Sequence, residues 1–493
     1  MSRPGGARGR GPGPWLVLGA VAIVPAVILF AVHRWSADAS AGNEAAPPVD
    51  PAVEVPEATP ALPTALLSYR RMPGIVSRDV NIDAFRSEVD PFLATLNDRS
   101  CAVIAVDGVD VGAVRDEIAV IPASSQKLLV AAVALERLGE DFRYTTTVEA
   151  AATPVAGVVE GDLYLVGGGD PLLSSDWYPT SNLERYAVTS PTSLDSLADA
   201  VVAAGVTSVA GSVVGDGSRY DDEFFAPGWG VGVAGLEGGP YDALMANDAR
   251  VEGDPLRAND PNEGAAREFT RLLEARGVTV TGAPSSGAAP AGSVEIAAIE
   301  SAPMSSVVAE MLGNSDNNTA ELVVKELGVT DTAPGTREAG LAAIREQLAE
   351  WGVGVEALVL ADGSGLSPDN RVTCSALAEV LARYDLDSPV GQGLPIAGQT
   401  GTLSDVFVGH PVEGRLRGKT GTLNNPPFNA DPPAVKALGG YLPIEGGGEV
   451  EYVLILNGPT ISDQSEYRPV WDALADTLDT YPAGPTPAVV GPQ

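Results

Sequence analysis

Any chemistry that needs an amine must use one of the four lysines of this chain, which are Lys127, Lys325, Lys419 and Lys436. Only Lys127 follows a serine by three positions, in the run Ser124-Ser125-Gln126-Lys127. The apolar spacing predicts a helix over 125–138, which would place Lys127 one turn after Ser124, on the same face. The positive end of such a helix favours negative charge at the serine. The pair therefore predicts a serine nucleophile with a lysine base. The alternative is a capping serine beside an exposed lysine.

A second group of polar residues, Ser315-Asp316-Asn317, lies between two predicted helices at 304–312 and 318–327. A serine and an amide on a short turn can relay a proton and hold a substrate amide. The alternative is a simple helix cap, because serine, aspartate and asparagine are all favoured at helix N-termini.

A third group is Lys419-Thr420-Gly421-Thr422, shortly before two predicted strands at the end of the chain. A strand edge that carries a cation, with a glycine that permits close approach, suits an anionic substrate. A near copy at residues 399–403 lacks the lysine, so we assign the function to the second copy.

Ser-x-x-Lys, Ser-x-Asn and Lys-Thr-Gly in this order are the signature of penicillin-recognising serine enzymes. Over about residues 75–480 the chain resembles the D-alanyl-D-alanine carboxypeptidase/endopeptidases, the low-molecular-mass class C penicillin-binding proteins. The runs that carry this resemblance are 122–128, 313–317, 320–321, 362–367 and 418–423. Class A β-lactamases share the motifs but leave little room between the first two, whereas here 191 positions separate Ser124 from Ser315.

The resemblance implies a role for each of these residues. Ser124 would attack the carbonyl of the penultimate D-alanine, with Lys127 as the base. Ser315 would pass the proton to the leaving amine, Asn317 would hold the substrate, and Lys419 would supply positive potential. The acylated residue is expected to be Ser124 and not its neighbour, since only Ser124 lies three positions before the lysine.

The resemblance also implies a substrate-binding strand formed by Thr420, Gly421 and Thr422. The two threonine hydroxyls would bind the terminal carboxylate, and the backbone N–H groups of Ser124 and Thr422 would form the oxyanion hole. No metal or organic cofactor is implied. The alternative functions are a β-lactamase, or a non-catalytic envelope scaffold that retains a penicillin site.

The fold class expected from this resemblance is α+β. It is a penicillin-binding, serine β-lactamase-like transpeptidase domain, an antiparallel sheet flanked by helices, with an inserted mainly β region. The predicted N-terminal divisions are a basic tail with a signal anchor or signal peptide (1–35) and a Pro/Ala-rich linker (36–65). The transpeptidase-like domain follows in two parts (66–144 and 286–481), which the inserted region (145–285) separates. A disordered tail (482–493) is predicted at the end.

Charge and rare residues exclude several classes of protein. The net charge of −35 would repel phosphate backbones, so we expect no nucleic-acid partner. A zinc site built from cysteine and histidine would consume both cysteines and both histidines. We predict a disulfide between Cys101 and Cys374 if the protein is exported, the alternative being two small buried apolar residues.

The N-terminus predicts export. Three arginines precede the uncharged run 15–32, which is broken only by Pro25. At 18 residues this run exceeds the usual hydrophobic region of a signal peptide, which favours an uncleaved anchor, although small-residue cleavage sites follow. The bulk of the chain would then lie outside the cytoplasmic membrane of a bacterium, where the expected partners are peptidoglycan stem peptides and inhibitory β-lactams.

Overall fold

The structure is a computed structural model that describes residues 72–482 except 184, 231, 425–433 and 446, and also residues 484, 486 and 489. The predicted N-terminal segment 1–35 and linker 36–65 lie outside the described residues, as does most of the predicted tail 482–493. Within the described part of the chain, no helix is both long and apolar enough to cross a membrane.

The described residues form ten α-helices and fifteen β-strands. The α-helices are α1 (Met72–Leu93), α2 (Lys127–Arg137), α3 (Leu194–Ala203), α4 (Pro261–Ala275), α5 (Met304–Asn314), α6 (Asn317–Leu327), α7 (Arg337–Glu350), α8 (Cys374–Leu381), α9 (Pro389–Gly393) and α10 (Gln464–Leu478). The strands are β1 (Cys101–Val106), β2 (Val109–Val114), β3 (Thr145–Ala150), β4 (Val158–Val159), β5 (Leu163–Val166), β6 (Leu173–Ser174), β7 (Thr192–Ser193), β8 (Ser208–Val209), β9 (Val213–Asp216), β10 (Thr279–Val280), β11 (Ser285–Ser286), β12 (Val294–Glu300), β13 (Arg417–Leu423), β14 (Ala434–Pro443) and β15 (Glu449–Gly458).

The main sheet has five strands in the order β13-β14-β15-β1-β2, and every pairing in it is antiparallel. Both of its faces are covered, so β1 is buried at every residue. Side chains alternate between the faces of a strand. Cys101 and Val103 accordingly enter one hydrophobic core with α2, whereas Ala102 and Ile104 enter another with α1 and α10. This is the α+β architecture expected from the sequence.

Helix α2 carries the first motif into the centre of this fold. The residues from Lys127 to Leu135 are all buried, because α2 packs on α5, α6 and α8 as well as beside the sheet. The helix predicted over 125–138 therefore exists, but its first turn is a separate 3₁₀ turn over Ala123–Gln126.

Helix α1 was not predicted from the sequence, and neither was the short helix α9. Proline is a strong helix breaker in most contexts, and α1 has Pro91 inside its last turn. Its side chains Ile82, Phe85 and Val89 recur at helical spacing and are buried against the sheet. Tertiary packing therefore stabilises a helix whose local sequence is a poor predictor of it.

The inserted region contains a mixed sheet in the order β11-β9-β5-β3-β12, in which β5 and β9 run parallel. Helices α3 and α4 pack on it around a separate hydrophobic core, so the region is less purely β than expected. A glycine with positive φ follows the end of each helix, Gly205 at 91° and Gly277 at 86°, which is a common way for a helix to end. Strand β12 pairs with β3, which extends this sheet to Glu300, past the predicted bound at 285. We propose 145–300 as the inserted region.

The two cysteines form the predicted disulfide. Cys101, the first residue of β1, is bonded to Cys374, the first residue of α8, with their Cα atoms 6.0 Å apart. Both residues are fully buried in the core beside α2. The bond ties β1, an interior strand of the sheet, to a helix that begins 273 positions later in the chain.

Candidate active site

Ser124 lies on a sharply shaped turn that leads into α2. The preceding residue, Ala123, has φ +47°, in the left-handed region that non-glycine residues rarely adopt. Gly365 packs directly on this turn, since a Cβ atom at that position would lie 1.9 Å from the carbonyl oxygen of Ala123. The turn leaves Ser124 partly exposed, whereas Ser125 is buried and its hydroxyl has no hydrogen-bond partner among the described residues.

Lys127 meets Ser124 as the spacing predicted. Its Nζ donates to Ser124 Oγ at 3.0 Å, to Asn317 Oδ1 at 2.8 Å and to the carbonyl oxygen of Ser364 at 2.6 Å. The side chain is fully buried. Burial lowers the pKa of Lys127 to about 8, although the carboxylates of Asp316, Asp362 and Glu321 act in the opposite direction. An amine with this pKa can be neutral near physiological pH and can accept the proton of the serine.

The loop between α5 and α6 brings the second motif to the same place. Ser315 has φ +60° and forms the C-cap of α5. The helix-cap alternative applies to Asp316, whose carboxylate accepts the N–H of Thr319 at 2.6 Å. Asn317 is free for another role, with its Oδ1 accepting from Lys127 and its Nδ2 donating to the carbonyl oxygen of Glu237 at 2.6 Å. Glu237 belongs to the inserted region, which therefore contacts the candidate site at Asn317.

Strand β13 supplies the second buried lysine. Lys419 is fully buried, and its Nζ donates to Ser315 Oγ at 2.7 Å and to the carbonyl oxygen of Thr420 at 2.7 Å. Burial, and then the charge of Lys127, hold the pKa of Lys419 well below its usual range. A bound anion would favour the protonated form of Lys419, so its positive charge depends on the substrate.

The rest of β13 lies against the serine turn. A Cβ atom at Gly421 would lie 3.0 Å from the carbonyl oxygen of Pro122, so a glycine permits the strand to approach this closely. The hydroxyl of Thr420 donates to Thr402 Oγ1 at 2.7 Å. The hydroxyl oxygen of Thr422 accepts from Lys436 Nζ at 2.9 Å. Both threonines line the cleft that contains Ser124.

The structure thus brings together all eight predicted site residues, namely Ser124, Lys127, Ser315, Asn317, Lys419, Thr420, Gly421 and Thr422. Five of them line a cleft of about 600 Å³ between the inserted region and the transpeptidase-like domain, and these five are Ser124, Ser315, Asn317, Thr420 and Thr422. The described residues contain no group of three or more His, Cys, Asp or Glu side chains arranged to hold a metal.

Sequence reasoning missed several residues that complete the site. Thr402 belongs to the near copy of the third motif, and that repetition was a signal that both segments reach the cleft. Glu321 accepts the N–H groups of Gly363 and Ser364, at 3.1 and 2.7 Å, which fixes the carbonyl oxygen that Lys127 contacts. Burial and the nearby charge of Asp362 raise the pKa of Glu321 to about 7.

The remaining lysines differ in role. Lys325 is fully buried and donates to the carbonyl oxygens of Asp221 and Glu223 in the inserted region at 2.9 and 2.8 Å. It therefore fastens that region to α6 and does no chemistry at the serine. Lys436, by contrast, lines the cleft.

Fold and geometry together define a penicillin-recognising serine hydrolase. The model of the D-Ala-D-Ala carboxypeptidase 3 (S13) family matches residues 102–251 and 242–481, which is most of the chain. The chain therefore belongs to this family and is a serine-type D-Ala-D-Ala carboxypeptidase.

Known relatives agree with this assignment. A D-alanyl-D-alanine carboxypeptidase of Actinomadura is 30% identical over 421 residues, covering 69% of this chain and 73% of the relative. The carboxypeptidase DacB of Mycolicibacterium smegmatis is 32% identical over 380 residues, covering 74% and 76%. A carboxypeptidase of Mycobacterium tuberculosis is 30% identical over 412 residues, covering 79% and 81%.

Solved structures share the fold. Penicillin-binding protein 4 from Haemophilus influenzae superposes with a TM-score of 0.64 at 19% identity, covering 80% of this chain and 98% of that one. The same protein complexed with a β-lactam gives a TM-score of 0.58 at 20% identity, covering 81% and 99%.

Proposed function

We propose that Ser124 is the nucleophile of this carboxypeptidase and Lys127 its general base. Ser124 Oγ attacks the carbonyl carbon of the penultimate D-alanine while its proton passes to the neutral amine of Lys127. The observation that carries this proposal is the buried Lys127 amine, 3.0 Å from the hydroxyl of Ser124. The contact to Asn317 at 2.8 Å fixes the amine in this position.

Collapse of the tetrahedral intermediate breaks the bond to the leaving D-alanine and forms an ester on Ser124. The leaving nitrogen needs a proton, which Ser315 donates in our proposal, while Lys419, 2.7 Å from the Ser315 hydroxyl, replaces it. A water molecule then attacks the ester and gives its proton, through Ser315, to the neutral Lys419. The protonated Lys127 returns its proton to Ser124 as the ester bond breaks, so both lysines and the serine are regenerated and the shortened peptide leaves as a carboxylic acid. The backbone N–H groups of Ser124 and Thr422 would bind the oxyanion, a contribution of about 3–4 kcal/mol per donor in serine peptidases.

The substrate carboxylate is proposed to bind along β13. Thr422 is suited to this role because its oxygen already accepts from Lys436, which leaves its proton for the substrate. The hydroxyl of Thr420 donates its proton to Thr402 in the structure. Because the proton between them belongs to one hydroxyl or the other, either Thr420 or Thr402 can donate to the substrate carboxylate, but not both at once. The substrates proposed on this basis are peptidoglycan stem peptides that end in D-alanyl-D-alanine.

Cleavage of cross-links is a second activity that the same chemistry would support. An endopeptidase reaction uses the same acyl-enzyme and differs only in the leaving group, which is the amine of a neighbouring stem. The cleft of about 600 Å³ is open along β13 and has room for a larger leaving group than D-alanine.

The proposed location is outside the cytoplasmic membrane of a bacterium, with residues 15–32 as a single N-terminal anchor. The basic flank and the length of this run support the anchor. The disulfide between Cys101 and Cys374 supports an oxidising compartment. Treating intact cells with an external protease tests the location, since a cytoplasmic protein would be protected.

Mass spectrometry of the protein after incubation with a β-lactam tests the proposed mechanism. We expect one stable adduct, located on Ser124 by peptide mapping, together with release of D-alanine from stem peptides by the untreated enzyme. Rapid turnover of the β-lactam without release of D-alanine would indicate a β-lactamase instead. The absence of both an adduct and D-alanine release would identify a non-catalytic scaffold.

A further inference from the structure

Three cations line the cleft beyond Thr422, and the mechanism proposed above uses only the hydrogen bond that one of them donates to Thr422. They are Lys436 on β14, Arg468 on α10 and Arg185 in the inserted region, and we call them the cationic cluster. The chain as a whole has a net charge of −35, so a group of three cations at one end of the cleft is a local exception to its negative charge.

Lys436 is held in a definite position within the cationic cluster. It lies directly opposite Thr422 in the pairing of β13 with β14, and its Nζ donates to Thr422 Oγ1 at 2.9 Å. The same ammonium lies 4.3 Å from the ring centroid of Tyr467, a cation–π contact. Lys436 is partly buried by these contacts. One hydrogen bond and one ring leave its remaining N–H groups for a ligand in the cleft.

The positive charges of the cationic cluster are only partly compensated. Among the described residues of the cleft, Asp405 is the carboxylate that forms an ion pair with the cluster. Its carboxylate is exposed and lies 3.7 Å from the guanidinium of Arg185. Arg468 donates to the backbone oxygen of Asp405 at 3.2 Å, which does not neutralise its charge. Burial, then Arg185 and Arg468, lower the pKa of Lys436 to about 8. An anion bound here would relieve this repulsion.

The position of the cluster relative to the scissile bond follows from the proposed function, on which this inference rests. If Thr422 binds the carboxylate of the residue after the scissile bond, the groups beyond it contact the leaving group. We propose that the cationic cluster is a leaving-group subsite that selects D-amino-acid leaving groups bearing a second carboxylate. Such a group would place one carboxylate on Thr422 and the other among Lys436, Arg468 and Arg185.

A matched pair of peptides tests the subsite. The same acylated stem peptide is prepared with D-alanyl-D-glutamate and with D-alanyl-D-glutamine at its end, and release of the last residue is measured with the full-length enzyme. A single ion pair near a protein surface is worth roughly tenfold in affinity. We therefore expect kcat/KM to favour the glutamate peptide by about tenfold or more, and this preference to shrink as salt is added.

Variants assign the preference to the cationic cluster. Lys436→Gln and Arg468→Gln should each lower the glutamate-to-glutamine ratio severalfold, whereas Lys436→Arg should retain most of it. Arg86→Gln, which removes an exposed cation on α1, is the control for overall charge and should leave the ratio unchanged. Thermal melting establishes that each variant is folded. If Lys436→Gln does not fold, Arg468→Gln decides the test.

Two outcomes contradict the subsite. One is a wild-type ratio near or below one, and the other is a preference that survives both neutral variants. The proposed function is checked separately by β-lactam acylation at Ser124 and by release of D-alanine from D-alanyl-D-alanine peptides. If both occur and the ratio is near one, only the subsite is wrong; if neither occurs, the proposed function itself has failed.

Discussion

The two ends of the cleft place lysines in opposite environments. Lys127 and Lys419 are fully buried, and their amines are surrounded by serine, asparagine and backbone oxygens. Lys436 is partly exposed beside two arginines and a tyrosine ring. The pKa values of Lys127 and Lys436 are both lowered to about 8, so contact separates the two lysines. The amine of Lys127 touches the hydroxyl of Ser124, which suits a base, whereas Lys436 lies in a cluster of cations that suits anion binding. The same residue type is thus prepared for proton transfer at one end of the cleft and for recognition at the other.

The largest effect we predict separates the two neighbouring serines at the buried end. Ser124→Ala should lower kcat on the order of a millionfold, as loss of the nucleophile does in other serine peptidases, and should abolish the β-lactam adduct. Ser125→Ala is the matched control, because its hydroxyl is buried away from Lys127, and the adduct should remain. Mass spectrometry of both variants decides this, and an adduct retained by Ser124→Ala would disprove the assignment.

The next prediction compares a buried lysine with the open one. Lys127→Met should lower the acylation rate by roughly 10²–10⁴-fold, the range expected for loss of a general base. Lys436→Met should lower it by no more than about tenfold, the range of one surface charge contact. Stopped-flow acylation by a chromogenic cephalosporin measures both. Equal losses in the two variants would break the distinction between proton transfer and recognition.

The pH profile tests whether the buried environment creates the base. Because the pKa of Lys127 is lowered to about 8, the acylation rate should rise with pH, by roughly tenfold per unit well below that value, and level off above it. Glu321 ionises in the same range, and its negative charge raises the pKa of Lys127. The acylation rate of the Glu321→Gln variant should therefore level off at a lower pH than that of the wild type. A pH profile that does not shift in this variant, or that shifts to higher pH, would reject Lys127 as the base.

The smallest predicted effect concerns the substrate carboxylate. Amidation of the terminal D-alanine should lower kcat/KM by roughly tenfold or more, since a charge-assisted hydrogen bond contributes about 1.5–3 kcal/mol. Lys419→Ala should reduce this discrimination, because the charge beside β13 would be lost. Assays of released D-alanine or D-alaninamide measure both effects. Equal rates on the two peptides would show that this strand does not recognise the carboxylate.

Local contacts were the part of the site most accessible from the sequence. Ser124 and Lys127 meet because three positions span about one helical turn, whatever the rest of the fold does. The motifs at Ser315 and Lys419 were recognisable as chemical groups, although their meeting at 2.7 Å joins positions far apart in the chain. The cysteine pair was predictable by elimination, since no other partner exists.

Contacts that depend on sheet register and loop packing were decided by the tertiary structure. Lys436 reaches Thr422 only because β13 pairs with β14 in one register. Thr402 reaches Thr420 only because the 399–403 turn packs beside β13. The carbonyl oxygen of Glu237 reaches Asn317 only because the inserted region packs over the cleft. Sequence spacing specifies none of these three contacts, because groups distant along the chain meet through the burial of whole faces. The amino-acid sequence by itself thus indicated which groups we propose for the chemistry, while packing decided which groups surround them.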